Sequence, residues 1–371
     1  MSFVIKAFTR PYNYWHDFYP GYYREGLRRY AAEQGGRYEE IAMGRSPDLL
    51  RLMRRVRDAY RLQPIFNRSR WLARAYDRTA KRVEGRIRPP AGTFVSGTSQ
   101  YLVDLPGKGE LKVCINTDDD GHTIHEEIVA WSDVYFKTNY WPTETYPDKV
   151  LPFVNADPHV AHEETFRGYR ATPKQYDVCM VVRVWGGKDE VEGVEHNLRL
   201  IEAVNRAKGS KFLYAYLVAG DVQAAARRLE KQGIPCGTDP LPPKKLWQVS
   251  AASRLNVIRL GMHYCVPWRV TSAIAIGSGM VLDRAPFTRW PEPLVEGEHF
   301  LALGAETGVD QPLATDEQYA SIPTKIDAWL ADGDLAARIA RNNGAYYDRH
   351  LAPARVGEHF MKTVEKVAVS R

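Results

Sequence analysis

No stretch of the chain reaches the ~20 consecutive apolar residues that a membrane-crossing helix needs, so none is expected. Cysteine is scarce. The four present, Cys114, Cys179, Cys236 and Cys265, are widely spaced with no C-x-x-C pair, and three sit in apolar surroundings that read as buried thiols in a reducing compartment. The first ten residues carry Lys6 and Arg10 around an apolar run too short for a secretory signal. No G-x-G-x-x-G follows either candidate first strand, which argues against a nucleotide-dependent oxidoreductase. Nor is there zinc-finger spacing, an RNP-like aromatic box or a basic zipper, so nothing beyond charge points to nucleic acid. Internal repeats and low-complexity tracts are also missing.

What is there suits a folded protein of two domains. The chain has 371 residues, 44% hydrophobic and 26% charged, and such a length is more than twice the ~150-residue domain norm. The net charge of +6 favours anionic partners without naming one. Twenty-one Tyr, 12 Phe and 9 Trp are enough to serve both cores and ligand-stacking faces.

Strand and helix signals alternate along the chain. Phe3 to Phe8 reads as a buried strand, the Pro11 to Pro20 stretch as a loop, and Tyr22 to Gln34 as a helix stopped by Gly35-Gly36. Further strands are expected at 92–101, 111–116 and 133–136, with a helix at 126–131. The pattern restarts at Tyr176: strand 178–184, helix 191–207, strand 211–218, helix 222–232, helix 244–252, strand 255–260, helix 267–276 and strand 280–282. Val194, Leu198, Ile201 and Val204 form the apolar stripe of a crossover helix. The tail from Thr324 to Val367 is helical by periodicity. This rhythm predicts an α/β protein with two Rossmann-like domains built on parallel sheets, whose sites form at the carboxyl ends of the strands. The expected division is residues 1–172 and 173–350, with an Arg-rich helical insertion at 47–88 and a helix over 351–371. The insertion reads as a solvated basic face or as a patch that rests on anionic lipid.

Two groups of residues point to anion chemistry and to base catalysis. Arg183 and Lys188 flank the diglycine Gly186-Gly187 just past a buried strand, where backbone amides and two cations suit a diphosphate. Asp17 with His16 lies after the first strand, and Asp118-Asp119-Asp120-Gly121-His122 after the strand ending at Asn116. From these loops Asp17 and Asp119 or Asp120 are the general-base candidates, with His16 and His122 as their partners.

The segment Cys265-Val266-Pro267-Trp268-Arg269-Val270-Thr271-Ser272, continuing through Gly277-Ser278-Gly279 to Asp283, resembles the donor-site helix of GT-B glycosyltransferases, particularly exostosin-like and group 1-like ones. Glu296-Gly297-Glu298-His299-Phe300 is similar to the loop before that family's last helices. The resemblance covers roughly residues 174–302. It implies a GT-B fold with two Rossmann-like domains facing a cleft and a C-terminal helix that crosses back to the first domain. It also implies sugar transfer from a nucleotide-diphosphate donor held by the second domain to a glycan, glycolipid or small-molecule hydroxyl. Donor binding then falls to Arg183, Lys188, Gly187, Arg269, Thr271 and Pro267. No cofactor and no metal are expected. Retaining members usually carry glutamates where Ser272 and Tyr264 stand, which speaks against a retaining mechanism without deciding the stereochemical outcome; inverting chemistry needs a base, expected from the first domain. Polysaccharide or glycolipid synthesis in the cytoplasm, with peripheral contact at an anionic inner membrane face, follows as an expectation. The alternatives are a metal-dependent GT-A-type transferase using Asp118 and Asp120, and a non-catalytic glycan-binding protein.

Overall fold

The computed structural model describes residues 2–9, 14–42, 71, 72, 75, 78, 97–155, 163–184, 191–218, 221–261, 265–305 and 313–370. The chain forms two compact units. The first comprises Met1–Asp118, His122–Ala161 and Pro353–Arg371; the second comprises Asp119–Gly121 and His162–Ala352. Most of the Arg-rich 47–88 segment lies outside the described residues.

The first unit is built on a six-stranded sheet in the order β2-β1-β3-β4-β5-β6. Its strands are β1 (Val4–Thr9), β2 (Arg37–Ala42), β3 (Thr98–Leu105), β4 (Gly109–Asn116), β5 (Val134–Lys137) and β6 (Val150–Pro152). In β1, Ile5 and Ala7 are buried on alternate positions, as a pleated strand requires. Parallel strands were the expectation, and one strand departs from it. β3 runs antiparallel to both neighbours. The cause is local: Gly107 and Gly109 have φ of 75° and 78°, which closes a tight hairpin pairing Leu105 with Gly109.

Helix α1 spans Tyr14–Glu33, so residues 14–20, read from the sequence as loop, are helical instead. Pro20 sits inside it. A proline mid-helix removes one backbone donor, and here the buried stripe of Tyr23, Leu27 and Ala31 carries the helix through. Gly35, at φ 67°, ends it, with Gly36 N–H donating to Ala31 O. The short helix α2 (Glu126–Trp131) precedes β5.

The C-terminal helix of the chain, Pro353–Val369, packs along α1 within this unit. Val356, Phe360 and Val364 face inward at four-residue spacing. The two helices touch through glycines. A Cβ on Gly357 would lie 2.5 Å from Gly26 O, and one on Gly26 would collide with the Pro353 carbonyl.

The second unit has a six-stranded, wholly parallel sheet: β7 (Tyr176–Val184), β8 (Lys211–Leu217), β9 (Cys236–Gly237), β10 (Ser253–Ile258), β11 (Gly279–Leu282) and β12 (Leu301–Ala302). Their order is β12-β11-β10-β7-β8-β9. Counted from β7, this is the Rossmann order 3-2-1-4-5-6 read from the other edge, which places the reversal of strand order between β7 and β10. Helices α3 (Glu163–Tyr169), α4 (Val191–Asn205), α5 (Val222–Glu230), α6 (Pro243–Ala251), α7 (Trp268–Ile276), α8 (Asp316–Ala331) and α9 (Leu335–Tyr346) complete the unit, making the C-terminal helix α10. Leu198, Ile201 and Val204 of α4 join β7, β8 and β10 in one apolar core, as the stripe predicts.

Between α9 and α10, Tyr347–Leu351 forms a π-helical turn. Its Asp348 accepts from Arg170 at 2.7 and 3.1 Å and from Arg167 at 3.1 Å. The main segment of the second unit begins at His162, before α3.

Candidate functional site

In an open parallel sheet, groups at the carboxyl ends of the strands beside the reversal point are left uncovered by the crossover helices. In the second unit those ends carry charge. Arg259 follows β10 directly, Asp283 and Arg284 follow β11, and Arg183 is the penultimate residue of β7.

Asp283 is wholly buried and fully engaged. One carboxylate oxygen accepts from Leu260 N–H at 2.8 Å. The other lies 3.3 Å from His196 Nε2 and 3.5 Å from Arg284. On the far side of the ring, His196 Nδ1 is 2.6 Å from the Tyr319 hydroxyl, which also accepts from Ala314 N–H at 3.4 Å. The partners assign the protons: Ala314 donates to Tyr319, Tyr319 to Nδ1, and Nε2–H to Asp283. Arg199 covers the Tyr319 ring with its guanidinium 4.2 Å from the centroid. Burial pushes the Asp283 carboxyl up, but Arg284, the His196 bond and Arg259 outweigh it and hold it below the usual carboxylate range.

Arg259 lacks such partners. Its Nε is buried and makes no hydrogen bond. Burial pulls the guanidinium down from its ordinary value, and Arg284 adds to this while Asp283 opposes it. Arg269, in the first turn of α7, is drawn down by burial to about 10, with Arg259 contributing, and donates to the Val181 carbonyl. It stays cationic at neutral pH. Three guanidiniums thus share one carboxylate in a poorly hydrated setting, an excess of positive charge that an entering anion would neutralise. Arg284 also donates to Gly261 O at 2.7 Å. Burial pushes the nearby Cys265 thiol up to about 12, so it is unreactive at neutral pH.

No family model matches the chain, and no curated protein matches it. Among solved structures it is similar to the C-terminal domain of a glycosyl transferase group 1 family protein, LpcC, from Francisella tularensis, at 14% identity over 51% of this chain and 93% of that one, with a TM-score of 0.35. It is similar to Anabaena HepE, solved with UDP and glucose, at 11% identity over 91% of this chain and 89% of that one, TM-score 0.41. It is also similar to the pneumococcal O-GlcNAc transferase GtfA, solved with UDP and GlcNAc, at 12% identity over 68% of this chain, TM-score 0.40; the chain spans about half of GtfA, 49%.

The donor-site residues expected from sequence are placed unevenly. Arg183 is exposed at the end of β7, while Gly187 and Lys188 lie outside the described residues. Pro267 is the N-cap of α7. Thr271 is wholly buried in that helix. Arg269 is half-buried and donates to the Val181 carbonyl of β7, which ties α7 to that strand. Arg259, Asp283, Arg284, His196 and Tyr319 were missed. The signal available was positional: each of the three charged residues on the strand side stands just past an apolar strand.

In the first unit, His16 and Asp17 belong to the helical backbone of α1 rather than to a loop, and their side chains lie outside the described residues. Asp119 is exposed and Asp120 partly so. His122 Nδ1 pairs with Glu144 at 2.9 Å, with its ring edge-on to Trp141. Asp118 pairs with His125 at 2.7 Å. Among the described residues, no three His, Cys, Asp or Glu side chains gather so as to hold a metal ion, and no helix is long and apolar enough to cross a membrane.

Proposed function

We propose that the protein is a glycosyltransferase of the GT-B type, which moves a sugar from a nucleotide-diphosphate donor to a hydroxyl of a glycan, glycolipid or small molecule without a bound metal. One observation carries this reading: a half-buried Arg259, whose buried Nε makes no hydrogen bond, stands at the reversal point of a Rossmann-ordered sheet. The resemblance of residues 174–302 to exostosin-like and group 1-like donor domains supports it.

In this reading the diphosphate lies across the ends of β7, β10 and β11. Arg259 and Arg284 supply charge at the ends of β10 and β11, the α7 N-terminus supplies amides, and Arg183 adds charge at the end of β7. Negative charge that builds on the leaving diphosphate meets guanidiniums already fixed and desolvated, which costs little reorganisation at the moment of reaction. Asp283, His196 and Tyr319 hold Arg284 in place. Hexosyl or pentosyl transfer, a role in polysaccharide synthesis and a cytoplasmic location with basic contact to an anionic membrane remain parts of the proposal.

The test is a thermal-shift and calorimetric panel of nucleoside diphosphates and nucleotide sugars, run with and without EDTA. Stabilisation that survives chelation and disappears in R259A is expected. Binding by NAD(P) alone, or only with a divalent ion, would overturn the reading.

A further inference from the structure

The second unit contains a small cavity between its sheet and the helices α6 and α7. Val181 of β7 and Asn256 of β10 line it from the sheet, Trp247 and Ser250 from α6, and Arg269 and Ser272 from α7. Arg259, Asp283 and Arg284 are not part of its lining. The cavity measures about 20 Å³, against the ~10–15 Å³ that one water needs. That is room for one group slightly larger than water, and too little for a phosphate.

The alternation of β10 explains how an amide comes to lie there. Leu255 and Val257 enter the apolar core with α4, so the intervening Asn256 points to the opposite face, under α6 and α7. Asn256 is 7% exposed, and among the described residues no hydrogen bond engages its side-chain amide. Native structures rarely leave such a group without a partner, because its lost hydration is then repaid by nothing.

Arg269 brings charge to the same space. A guanidinium carries five N–H donors, and among the described residues that of Arg269 makes one hydrogen bond, to the Val181 carbonyl. No Asp or Glu among the described residues lines the cavity. Of the charged groups that act on Arg269, Arg259 is a second cation, and Asp283 is already engaged by Leu260, His196 and Arg284. A water would satisfy Asn256 and leave the charge unanswered. An anion answers both, through hydrogen bonds of the stronger, charge-assisted kind.

We propose that this cavity binds one chloride-sized monovalent anion, held by the Asn256 amide and the Arg269 guanidinium. The site is independent of the glycosyltransferase reading, since it is too small for a diphosphate. The anion joins the middle of β10 to the first turn of α7 and stabilises the second unit by mass action.

The test uses the full chain. At neutral pH and fixed ionic strength, melting temperatures are measured in sodium chloride, sodium bromide and sodium gluconate, the last an anion too large to enter. The chloride-over-gluconate difference in the unaltered protein is expected to exceed that in N256L by about 2 °C or more. The comparison with N256L cancels the bulk effects of the salts. In N256D the new carboxylate takes the anion's place beside Arg269, so the difference should shrink there too, and this variant is read if N256L does not fold. Crystals grown in bromide should show an anomalous peak in contact with Asn256 and Arg269. A difference as large in the folded variants as in the unaltered protein overturns the proposal. So does bromide found only at surface positions, an adventitious ion only, with water in the cavity.

Discussion

Gly97 and Asp118 occupy one space: the carboxylate fills the volume that a side chain at position 97 would need, and Gly97 takes a left-handed backbone that favours glycine. In G97A both conditions fail together. The variant is expected to lose about 1–3 kcal/mol of stability, read by urea denaturation. A low-field imidazole N–H resonance from the Asp118–His125 bond should be present in the unaltered protein and absent in G97A. An unchanged resonance would show that the carboxylate has another way to reach the ring.

Arg259 should show the opposite balance of stability and function. An apolar replacement removes a cation whose Nε has no hydrogen-bond partner, while Asp283 keeps Leu260, His196 and Arg284 as its partners. R259M is therefore expected to melt at the same temperature as the unaltered protein or a few degrees above it, while the thermal shift produced by UDP or other nucleoside diphosphates disappears. A destabilised R259M that still binds diphosphate would mean the guanidinium serves the fold.

His299 and His350 give the second unit an acid-sensitive step. Burial lowers both pKa values, and His299 Nδ1 accepts from Val295 N–H at 3.0 Å, a bond that only the neutral ring can make. A histidine depressed in the folded state binds its proton first in the unfolded chain. Its contribution is complete above about pH 6.5 and is lost as the pH falls from there through the folded value. The melting temperature should decline from pH 7 towards pH 5, and H299Q/H350Q should flatten the decline. A slope identical in the double variant would place the acid sensitivity elsewhere.

The helix crossing in the first unit has no room for methyl groups. G26A and G357A each force the backbones of α1 and α10 apart and are expected to cost about 1–3 kcal/mol, as overpacked contacts do. Amide exchange should rise in both helices and not in the second unit. Exchange confined to the substituted helix would show that the pair is less tightly coupled than its geometry indicates.

The second unit was the more legible in sequence, for a physical reason. Its strands are short apolar runs and its helices, such as α4 with Leu198 and Ile201, carry one clean stripe, so period alone separates them. In the first unit, direction and punctuation misled. A strand pattern such as the one expected at 92–101 and found at Thr98–Leu105 looks the same whichever way it points, and Pro20 reads as a break although the buried face of α1 outweighs it. The sites were harder still. Asp118 and His125 stand seven residues apart with no spacing rule to join them, and only the fold of the loop after β4 brings them together. The partial burial of Arg259 comes from what packs around the end of β10, and its one local mark is its place just past an apolar strand.

The pairing of Gly26 with Gly357 also bears on how the protein is made. The first sheet emerges from the ribosome early, but the helix that covers α1 is translated some 300 residues later. Until then, Gly26 and Tyr30 lack the helix they pack against, and the second unit, whose segments are contiguous apart from three residues, is complete ahead of the unit that precedes it. A chain interrupted before Pro353 therefore holds every segment of the second unit but lacks the helix that completes the first.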